Sequence, residues 1–296
     1  MKIRPVRGTH DIIGEELSVY RFIESKVSEF AKIYDYNEII TPIFENSDLF
    51  KKPLGEKSDV VLKEMYSFKD RNDSLLTLRP EFTTPIIRAA ISNNLIAKLP
   101  AKFFSFGPAF RRERPQKGRY RQFNQINFEL LGSEDTTSDV ELIILANQLL
   151  ESIINKKNFK LYINSLGDKD TIVKFKENLS KYFKKYQNDL TEDSRSKIKT
   201  NPLRILDSKN KKDLALIKSA PKIYELYSNN AKQKFEDVQN LLSNLNIDFK
   251  IDSNLVRGLD YYCHTVFEFK TSSLGSQDTL IGGGRYDGLV KRLGGK

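Results

Sequence analysis

One strand–loop–strand segment, residues 106–132, does most to limit the folds open to this chain. The side chains of its second strand alternate with the two-residue period of a β-strand. The apolar ones share one face, namely Ile126, Phe128 and Leu130. The other face carries an aromatic ring and polar side chains, namely Phe123, Gln125, Asn127 and Glu129. Because antiparallel sheets often have one face in water, this polar face predicts either a solvated surface or the floor of a polar site.

The first strand and the loop of this segment favour the polar site. Arg111 and Glu113 share one face of the first strand. The loop adds cationic side chains, namely Arg114, Lys117, Arg119 and Arg121. Guanidinium groups bind phosphate oxygens with a fixed two-pronged geometry, and an aromatic ring can stack on a base. The segment therefore predicts a platform for ATP.

The remaining elements predict an α+β fold. Apolar side chains recur every three or four positions over residues 15–34, which indicates an amphipathic helix. Residues 37–50 predict a short strand that Pro42 interrupts, and residues 63–82 predict a hairpin. A buried helix is expected over residues 138–155. This mixed order of strands and helices predicts an antiparallel sheet flanked by helices and not a βαβ array.

The character of the sequence changes between residues 168 and 250. This stretch is rich in Lys, Asn, Asp and Ser and shows several short helical patterns, with no good strand until its end. We interpret it as a mainly helical insertion that separates a core of residues 1–167 from its continuation, residues 251–296. Strand signals return over residues 251–271, and a glycine cluster follows at Gly282–Gly284.

The charge balance indicates a polyanionic partner. Lys and Arg exceed Asp and Glu by 49 − 39, which gives a net charge of +10 and favours nucleic acid. The same lysine content fits an A+T-rich genome, so composition leaves both interpretations open. The single cysteine, Cys263, excludes an internal disulfide and suits a cytoplasmic protein. His10 and His264 add no metal-ligand spacing, and neither a membrane span nor a signal peptide is visible, so we expect no metal site and no membrane association.

Several strings resemble the signatures of class II aminoacyl-tRNA synthetases in their histidyl form. RRERPQKGRYRQFNQ (111–125) is similar to motif 2, and YNEIITPIFENSDLF (36–50) is similar to motif 1. RGTHDI (7–12) matches the opening signature of that family. LVRGLDYY (255–262) and GGGRYDGL (282–289) look like its two histidine-specific signatures. The sequence thus resembles the histidyl-tRNA synthetase family along nearly its whole length.

The resemblance implies a class II fold and a ligase activity. Such an enzyme activates L-histidine with ATP to histidyl-adenylate and then transfers the histidyl group to tRNA(His). The resemblance also implies Mg²⁺ as a cofactor and a cytoplasmic homodimer with Pro42 at its interface. It further implies that the sequence stops before motif 3 and the C-terminal anticodon-binding domain of the family.

The resemblance also assigns roles to single residues. The reacting α-phosphate would meet the catalytic residues Arg111 and Arg257. Further ATP contacts would come from Glu113 at adenine, Arg119 near the phosphate tail and Phe123 on the ring. The histidine pocket would comprise Glu81, Phe82, Thr83, Gln125, Glu129, Tyr261 and Tyr262. The acceptor end of tRNA would contact Arg114 and Gln116.

Plainer interpretations of these residues stay open at this point. Glu81 could complement the dipole of a helix in its first turn, Arg257 could be a surface charge, and Tyr261 and Tyr262 could be ordinary strand aromatics. Phe82 stands where many family members have glycine, so it either reshapes the pocket or points away from it.

The single cysteine of the chain stands next to one of its two histidines. Cys263 and His264 are adjacent, so on a strand they face opposite ways and form no nucleophile–base pair.

Two other functions stay open. One is the non-catalytic, synthetase-like regulatory subunit of ATP phosphoribosyltransferase, and the other is an inactive tRNA-binding fragment.

Overall fold

The computed structural model describes residues 3–55, 58, 60–113, 118–274 and 278–295. Its α-helices are α1 (Gly14–Ile33), α2 (Asp48–Leu54), α3 (Thr83–Ser92), α4 (Thr136–Ile153), α5 (Lys169–Lys185), α6 (Glu192–Lys197), α7 (Lys211–Lys218), α8 (Asn229–Asn244) and α9 (Leu289–Arg292). Its strands are β1 (Asn37–Glu38), β2 (Phe44–Asn46), β3 (Tyr66–Lys69), β4 (Leu75–Leu78), β5 (Ala101–Phe110), β6 (Gln122–Leu131), β7 (Lys160–Ser165), β8 (Phe249–Ile251), β9 (Cys263–Lys270) and β10 (Thr279–Arg285). The predicted α+β class is confirmed, because the described strands form small antiparallel and mixed sheets with helices beside them.

The strand–loop–strand segment forms the hairpin that the sequence predicts. β5 and β6 pair antiparallel over ten residues, from Ala101 opposite Leu131 to Phe110 opposite Gln122. β1 adds to the other edge of β5 in parallel. Ile126 and Phe128 pack against the buried side chains of α1 and α4. The opposite face of β6 is therefore left for its polar side chains.

The predicted strand around Pro42 is two strands in two different sheets. β1 belongs to the β5–β6 sheet, whereas β2 pairs antiparallel with β4. Pro42 lies exposed between them, where its missing N–H removes no ladder hydrogen bond. The predicted hairpin over residues 63–82 is confirmed, because β3 pairs antiparallel with β4.

The predicted strand over residues 251–271 is wrong in its first half. β9 begins only at Cys263, and residues 252–262 form a loop. A turn interrupts the strand, because the Oδ1 of Asp252 accepts from the backbone N–H of Asn254 at 3.0 Å. Short polar side chains of this kind compete with a strand ladder. His264 has a φ of 45°, so the regular alternation of side chains is also interrupted there.

The mainly helical stretch contains α5 to α8 and short 3-10 turns. Its apolar side chains form a cluster that also includes Leu255, Val256 and Val266 from outside the stretch. α8 packs on α4 and β7 in a second cluster. The helical stretch thus shares its apolar core with the strands that flank it.

Candidate active site

A cavity of about 1220 Å³ extends over both faces of β6, and one part of it is lined by apolar side chains of β6 and α4. Its polar part is lined by the polar face of β6, the start of α3, the loop over residues 257–262 and the glycines of β10. It brings together most of the residues that the sequence predicted for a site. These are Glu81, Thr83, Arg111, Glu113, Arg119, Phe123, Gln125, Glu129, Arg257, Tyr261 and Tyr262. Arg114 and Gln116 lie outside the described residues.

Glu129 is the most enclosed polar side chain of the β6 face, with 3% of its surface exposed. Its Oε1 accepts hydrogen bonds from the Oγ1 of Thr83 at 2.6 Å and from the Nδ2 of Asn127 at 2.9 Å. Its Oε2 accepts from the hydroxyl of Tyr286. Burial raises the pKa of Glu129 above its ordinary value, although these donors oppose that shift. A buried acceptor of this kind is suited to an N–H donor from a ligand.

Glu81 lies immediately before α3 and is also buried. Its carboxylate accepts from the backbone N–H of Thr83 at 2.7 Å and of Thr84 at 3.0 Å, so it satisfies the free amides at the start of the helix. Glu81 thus precedes the first turn of the helix, where the plainer interpretation put it, but it does bind the amides of that turn. Burial raises the pKa of Glu81, and hydrogen bonds from Thr84 and Thr83 work in the opposite direction. A cationic ligand group would stabilise the ionised form.

The side chain of Phe82 points away from the cavity. It is fully buried in the apolar cluster that α3 shares with α2 and β5. The guanidinium of Arg79 lies over its ring, with the Cζ atom 3.9 Å from the ring centre. Phe82 therefore fills the core behind α3, and the structure does not bring its side chain together with the other predicted histidine contacts.

The residues predicted to bind the nucleotide lie at the base of the basic loop. The Nε of Arg111 donates to the carbonyl of Pro80 at 2.8 Å, which fixes the direction of its side chain. Its guanidinium lies over the ring of Phe123, at 5.3 Å from the ring centre. Glu113 forms an ion pair with Arg119 at 2.8 Å. An aromatic ring and two arginines thus occur together at this end of the cavity.

Arg257 is neither on a strand nor a surface charge. It lies in the loop before β9 with 19% of its side chain exposed, and its NH1 forms an ion pair with Glu268. The guanidinium lies over the ring of Tyr262 at 5.7 Å. A Cβ atom on Gly282 would clash with this guanidinium. The glycine cluster of β10 therefore gives Arg257 the space it occupies.

Tyr261 and Tyr262 are not strand residues, because both precede β9. Their rings are 4.6 Å apart, and the ring of Tyr261 meets that of Tyr286 edge-on at 5.8 Å. Burial raises the pKa of Tyr261 well above its ordinary value. Among the described residues its buried hydroxyl has no hydrogen-bond partner.

Sequence reasoning missed the roles of Asn127 and Tyr286. Asn127 was placed on the polar face but given no function, whereas it links Gln125 to Glu129 through hydrogen bonds. Tyr286 belongs to the GGGRYDGL string, and its place just after the glycine cluster is the only local signal for it. Its neighbour Arg285 forms an ion pair with Asp139 of α4 at 2.8 Å and so holds this segment in position.

Within residues 3–295, leaving aside the undescribed gaps, no group of three or more His, Cys, Asp and Glu could hold a metal ion. Over the same stretches, the helices are too short or too polar to cross a bilayer. Burial raises the pKa of the Cys263 thiol to about 12, which disfavours a nucleophilic thiolate.

The chain is similar to proteins of one family. A family model described as histidyl-tRNA synthetase matches residues 8–296. The histidine–tRNA ligase of Wolbachia pipientis wMel is 51% identical over 296 residues, which are 100% of this chain and 72% of that protein. The crystal structure of apo S. aureus histidyl-tRNA synthetase matches with a TM-score of 0.78 at 36% identity, covering 100% of this chain and 69% of that one.

One further similarity concerns the fold alone. A structure of an ATP phosphoribosyltransferase regulatory subunit/histidyl-tRNA synthetase from Bacillus halodurans matches with a TM-score of 0.68 at 21% identity, covering 99% of this chain and 80% of that one. The much higher identity to the ligases does not favour the regulatory-subunit alternative. Because the family model and a relative with half its residues identical both extend over nearly the entire chain, the chain belongs to the histidyl-tRNA synthetase family of class II aminoacyl-tRNA synthetases.

Proposed function

We propose that this chain activates L-histidine with ATP and transfers the histidyl group to tRNA(His). One observation carries the proposal. The buried acceptor Glu129 shares a cavity with the guanidinium groups of Arg111 and Arg257. An imidazole N–H requires a buried acceptor, and a phosphate under attack requires converging cations. Both requirements are met within one cavity.

Glu81 and Glu129 are the proposed anchors of the amino acid. Glu81 binds the α-ammonium group, with Thr83 and Gln125 beside it. Glu129 and Tyr262 bind the imidazole ring, and Tyr261 lies next to them. An apolar analogue would leave these buried polar groups without partners, and comparable sites reject such analogues by about 10⁴–10⁵-fold. This arrangement makes a separate editing step unnecessary.

The chemistry is a displacement at phosphorus followed by acyl transfer. A carboxylate oxygen of histidine attacks the α-phosphorus of ATP, the new O–P bond forms, and pyrophosphate leaves with its electron pair. The terminal ribose hydroxyl of tRNA then attacks the acyl carbon, and AMP leaves. Arg111 and Arg257 neutralise charge on the α-phosphate, while Phe123, Glu113 and Arg119 hold the nucleotide. Positioning and charge neutralisation supply the rate enhancement.

We assign Mg²⁺ to the phosphates of ATP. Mg²⁺ keeps several water ligands and binds through one or two carboxylates together with substrate phosphates. The carboxylate beside Arg119 is that of Glu113, and it is paired with this arginine. The described side chains therefore do not form a carboxylate site dedicated to the ion, and no step above depends on one.

The same proposal covers the partners and the organisation of the chain. Arg114 and Gln116 contact the acceptor end of tRNA, whose charge complements the net charge of +10. A cytoplasmic homodimer forms around Pro42, where Ile40, Ile43 and Phe44 are exposed. Residues 168–250 are an insertion between the two parts of the catalytic core, residues 1–167 and 251–296.

The decisive experiment is exchange of labelled pyrophosphate into ATP. We expect exchange that depends on histidine and is not supported by alanine or phenylalanine. Charging of a tRNA(His) transcript tests the second step. Histidine binding without any exchange would instead support the regulatory-subunit function, and tRNA binding without either would support an inactive tRNA-binding fragment.

A further inference from the structure

The loop that carries Arg257, Tyr261 and Tyr262 is held by the helical stretch over residues 168–250. Its first half is anchored by apolar contacts, because Leu255 and Val256 are buried in the cluster formed largely by the helices of that stretch. These contacts fix the start of the loop. At the end of the loop they reach only Tyr262, which packs against the same cluster, and they leave residues 258–261 outside it.

Polar contacts extend this anchoring along the first half of the loop. The Nζ of Lys222, in the helical stretch, donates to the Oδ1 of Asn254 at 3.0 Å. From β7, the Nδ2 of Asn164 donates to the carbonyl of Leu255 at 3.0 Å. Both contacts lie before Arg257, so the second half of the loop needs an anchor of its own.

That anchor is a hydrogen bond between Asn201 and Asp260. The Nδ2 of Asn201, just before a 3-10 turn in the helical stretch, donates to the Oδ1 of Asp260 at 2.8 Å. On the other side of the carboxylate, a Cβ atom on Gly55 would lie only 2.6 Å from the Oδ2 of Asp260. Asp260 is therefore held between Asn201 and the end of α2, and it directly precedes Tyr261.

The surroundings of Asn201 indicate why an amide is present at this position. Only 4% of the residue is exposed, and among the described residues its Oδ1 has no hydrogen-bond partner. A buried carbonyl without a donor costs stability. An apolar side chain would therefore suit the packing at position 201 better than this amide does. What the amide contributes is the N–H group that donates to Asp260.

We propose that Asn201 is a positioning residue for adenylate formation, acting through Asp260. The hydrogen bond holds the loop so that Arg257 meets the reacting phosphate and Tyr262 meets the imidazole. This inference rests on the proposed function. It adds that the helical stretch sets the geometry of the active site.

The test uses Asn201→Leu, which keeps a similar volume and removes the donor. We expect kcat for histidine-dependent exchange to fall about 100-fold, as a displacement of about 1 Å costs in other enzymes. The KM for ATP should stay within about twofold, because Arg111, Glu113 and Phe123 hold the nucleotide and the loop meets it only at the reacting phosphate, through Arg257. Amide hydrogen exchange over residues 255–262 should become faster while the melting temperature is retained.

A reciprocal pair distinguishes positioning from a general effect on folding. Asn201→Asp places two carboxylates together and should lower kcat as Asn201→Leu does. Adding Asp260→Asn restores a donor–acceptor pair in the opposite sense and should recover most of the activity. Asn147→Leu is the matched control, because Asn147 is also a buried amide but its Nδ2 donates to Glu151 on α4 at 3.1 Å. It should leave kcat unchanged.

The possible outcomes separate this inference from the proposed function. If the unmodified chain exchanges pyrophosphate and the Asn201 variants match it in kcat and in loop protection, the inference is wrong. If the variants lose activity and the reciprocal pair does not recover it, the bond to Asp260 is not the cause and the inference is also wrong. If the unmodified chain shows no exchange, the proposed function fails, and the amide-exchange comparison still decides whether Asn201 holds the loop.

Discussion

The hydroxyl of Tyr286 donates a hydrogen bond to the Oε2 of Glu129, across 157 positions of sequence. The contact joins the segment after the glycine cluster to the polar face of β6. It gives the buried carboxylate of Glu129 three donors, because Thr83 and Asn127 donate to the other oxygen. In the proposed function this buried acceptor binds the imidazole, so it should affect both histidine use and stability.

Replacing Glu129 by Gln is expected to separate activity from stability. The variant keeps the shape but loses the charge-assisted bond to the imidazole, typically worth roughly 1.5–3 kcal/mol, so histidine use should fall at least about tenfold. Burial raises the pKa of Glu129, so the folded state holds its proton more tightly than the unfolded chain does. Its contribution to stability is present at acid pH and is lost as the pH rises through the raised value.

We therefore expect Glu129→Gln to melt at a higher temperature than the unmodified chain at pH 7, with a gain that shrinks towards pH 4. Thermal melts over this range and exchange kinetics at varied histidine provide the measurement. Glu24→Gln is the control, because Glu24 forms an exposed ion pair with Arg21 on α1. A lower melting temperature for Glu129→Gln at pH 7 would contradict the assignment of Glu129 as a strained, buried acceptor.

Tyr286→Phe tests the contact between the two segments directly. The variant keeps the ring that packs edge-on against Tyr261 and removes only the hydroxyl. Loss of one bond to a charged acceptor should raise the KM for histidine roughly 10-fold or more, with a smaller change in the KM for ATP. Tyr182→Phe is the control, since the hydroxyl of Tyr182 bonds to the carbonyl of Leu216 among α5 and α7, away from the cavity. Equal histidine kinetics in both variants would remove Tyr286 from the pocket.

The parts of the site that could be predicted from the sequence are those that depend on the short repeat of side chains along a regular strand. The two-residue alternation of β6 placed Gln125 and Glu129 on one face, and the structure confirms that face as part of the cavity lining. The same local reasoning failed for residues 252–262. Their apolar and aromatic side chains resemble a strand, but Leu255 is buried among distant helices and Tyr261 beside Tyr286. The contacts that determine this loop are far apart in sequence, so no local pattern reveals them.

The orientation of Phe82 likewise depends on contacts that no local sequence pattern reveals. The sequence identified it as a departure in the turn before α3 and could not decide where its side chain goes. The decision is made by Arg79, which covers the ring, and by Gly107 of β5, whose missing Cβ leaves room for both. The division of the chain at residues 168 and 250 remains a prediction, because one apolar cluster crosses both boundaries.

Gly282→Ala should reproduce the effect of losing Arg257. The added methyl group would collide with the guanidinium and displace it, while the backbone of β10 can accept alanine because its φ is not positive. Arg257→Ala removes a group that stabilises charge in the transition state, a loss of about 2.7–4 kcal/mol in comparable systems. We expect Gly282→Ala to lower kcat for adenylate formation by a similar factor and to leave the KM for ATP nearly unchanged.

The effects of Gly282→Ala and Arg257→Ala on kcat should also not be additive. Once Arg257 is absent, the methyl group at position 282 has nothing to displace, so the double variant should match Arg257→Ala alone. Gly288→Ala is the control, because its Cβ would have no neighbour closer than 4.0 Å. Single-turnover rates measure the effect. Additive losses would mean that Gly282 acts on some other group.

Asp168 provides a prediction for stability that is independent of catalysis. It caps α5 by accepting from the backbone N–H of Thr171 at 2.8 Å, and it also accepts from the Oγ of Ser228 at 2.6 Å, so it ties α5 to α8. Burial would raise its pKa, but the hydrogen bonds from Ser228 and Thr171 outweigh burial and lower the pKa to about 2. The carboxylate therefore stabilises the fold above its ordinary pKa of 3.8, and this contribution disappears as the pH falls towards 2.

Asp168→Asn keeps the capping geometry and removes the charge. Because Asp168 is largely solvated, water screens most of the electrostatic benefit, and we expect a loss of about 1 kcal/mol at pH 7. The difference from the unmodified chain should narrow below pH 4, where the unfolded chain binds the proton, and vanish near pH 2. Urea unfolding at pH 7, 4 and 3 measures it, with Asp170→Asn as the control for charge in the first turn of α5. A difference that stays constant from pH 7 to pH 3 would show that the amide disturbs packing and that the ionised cap contributes nothing.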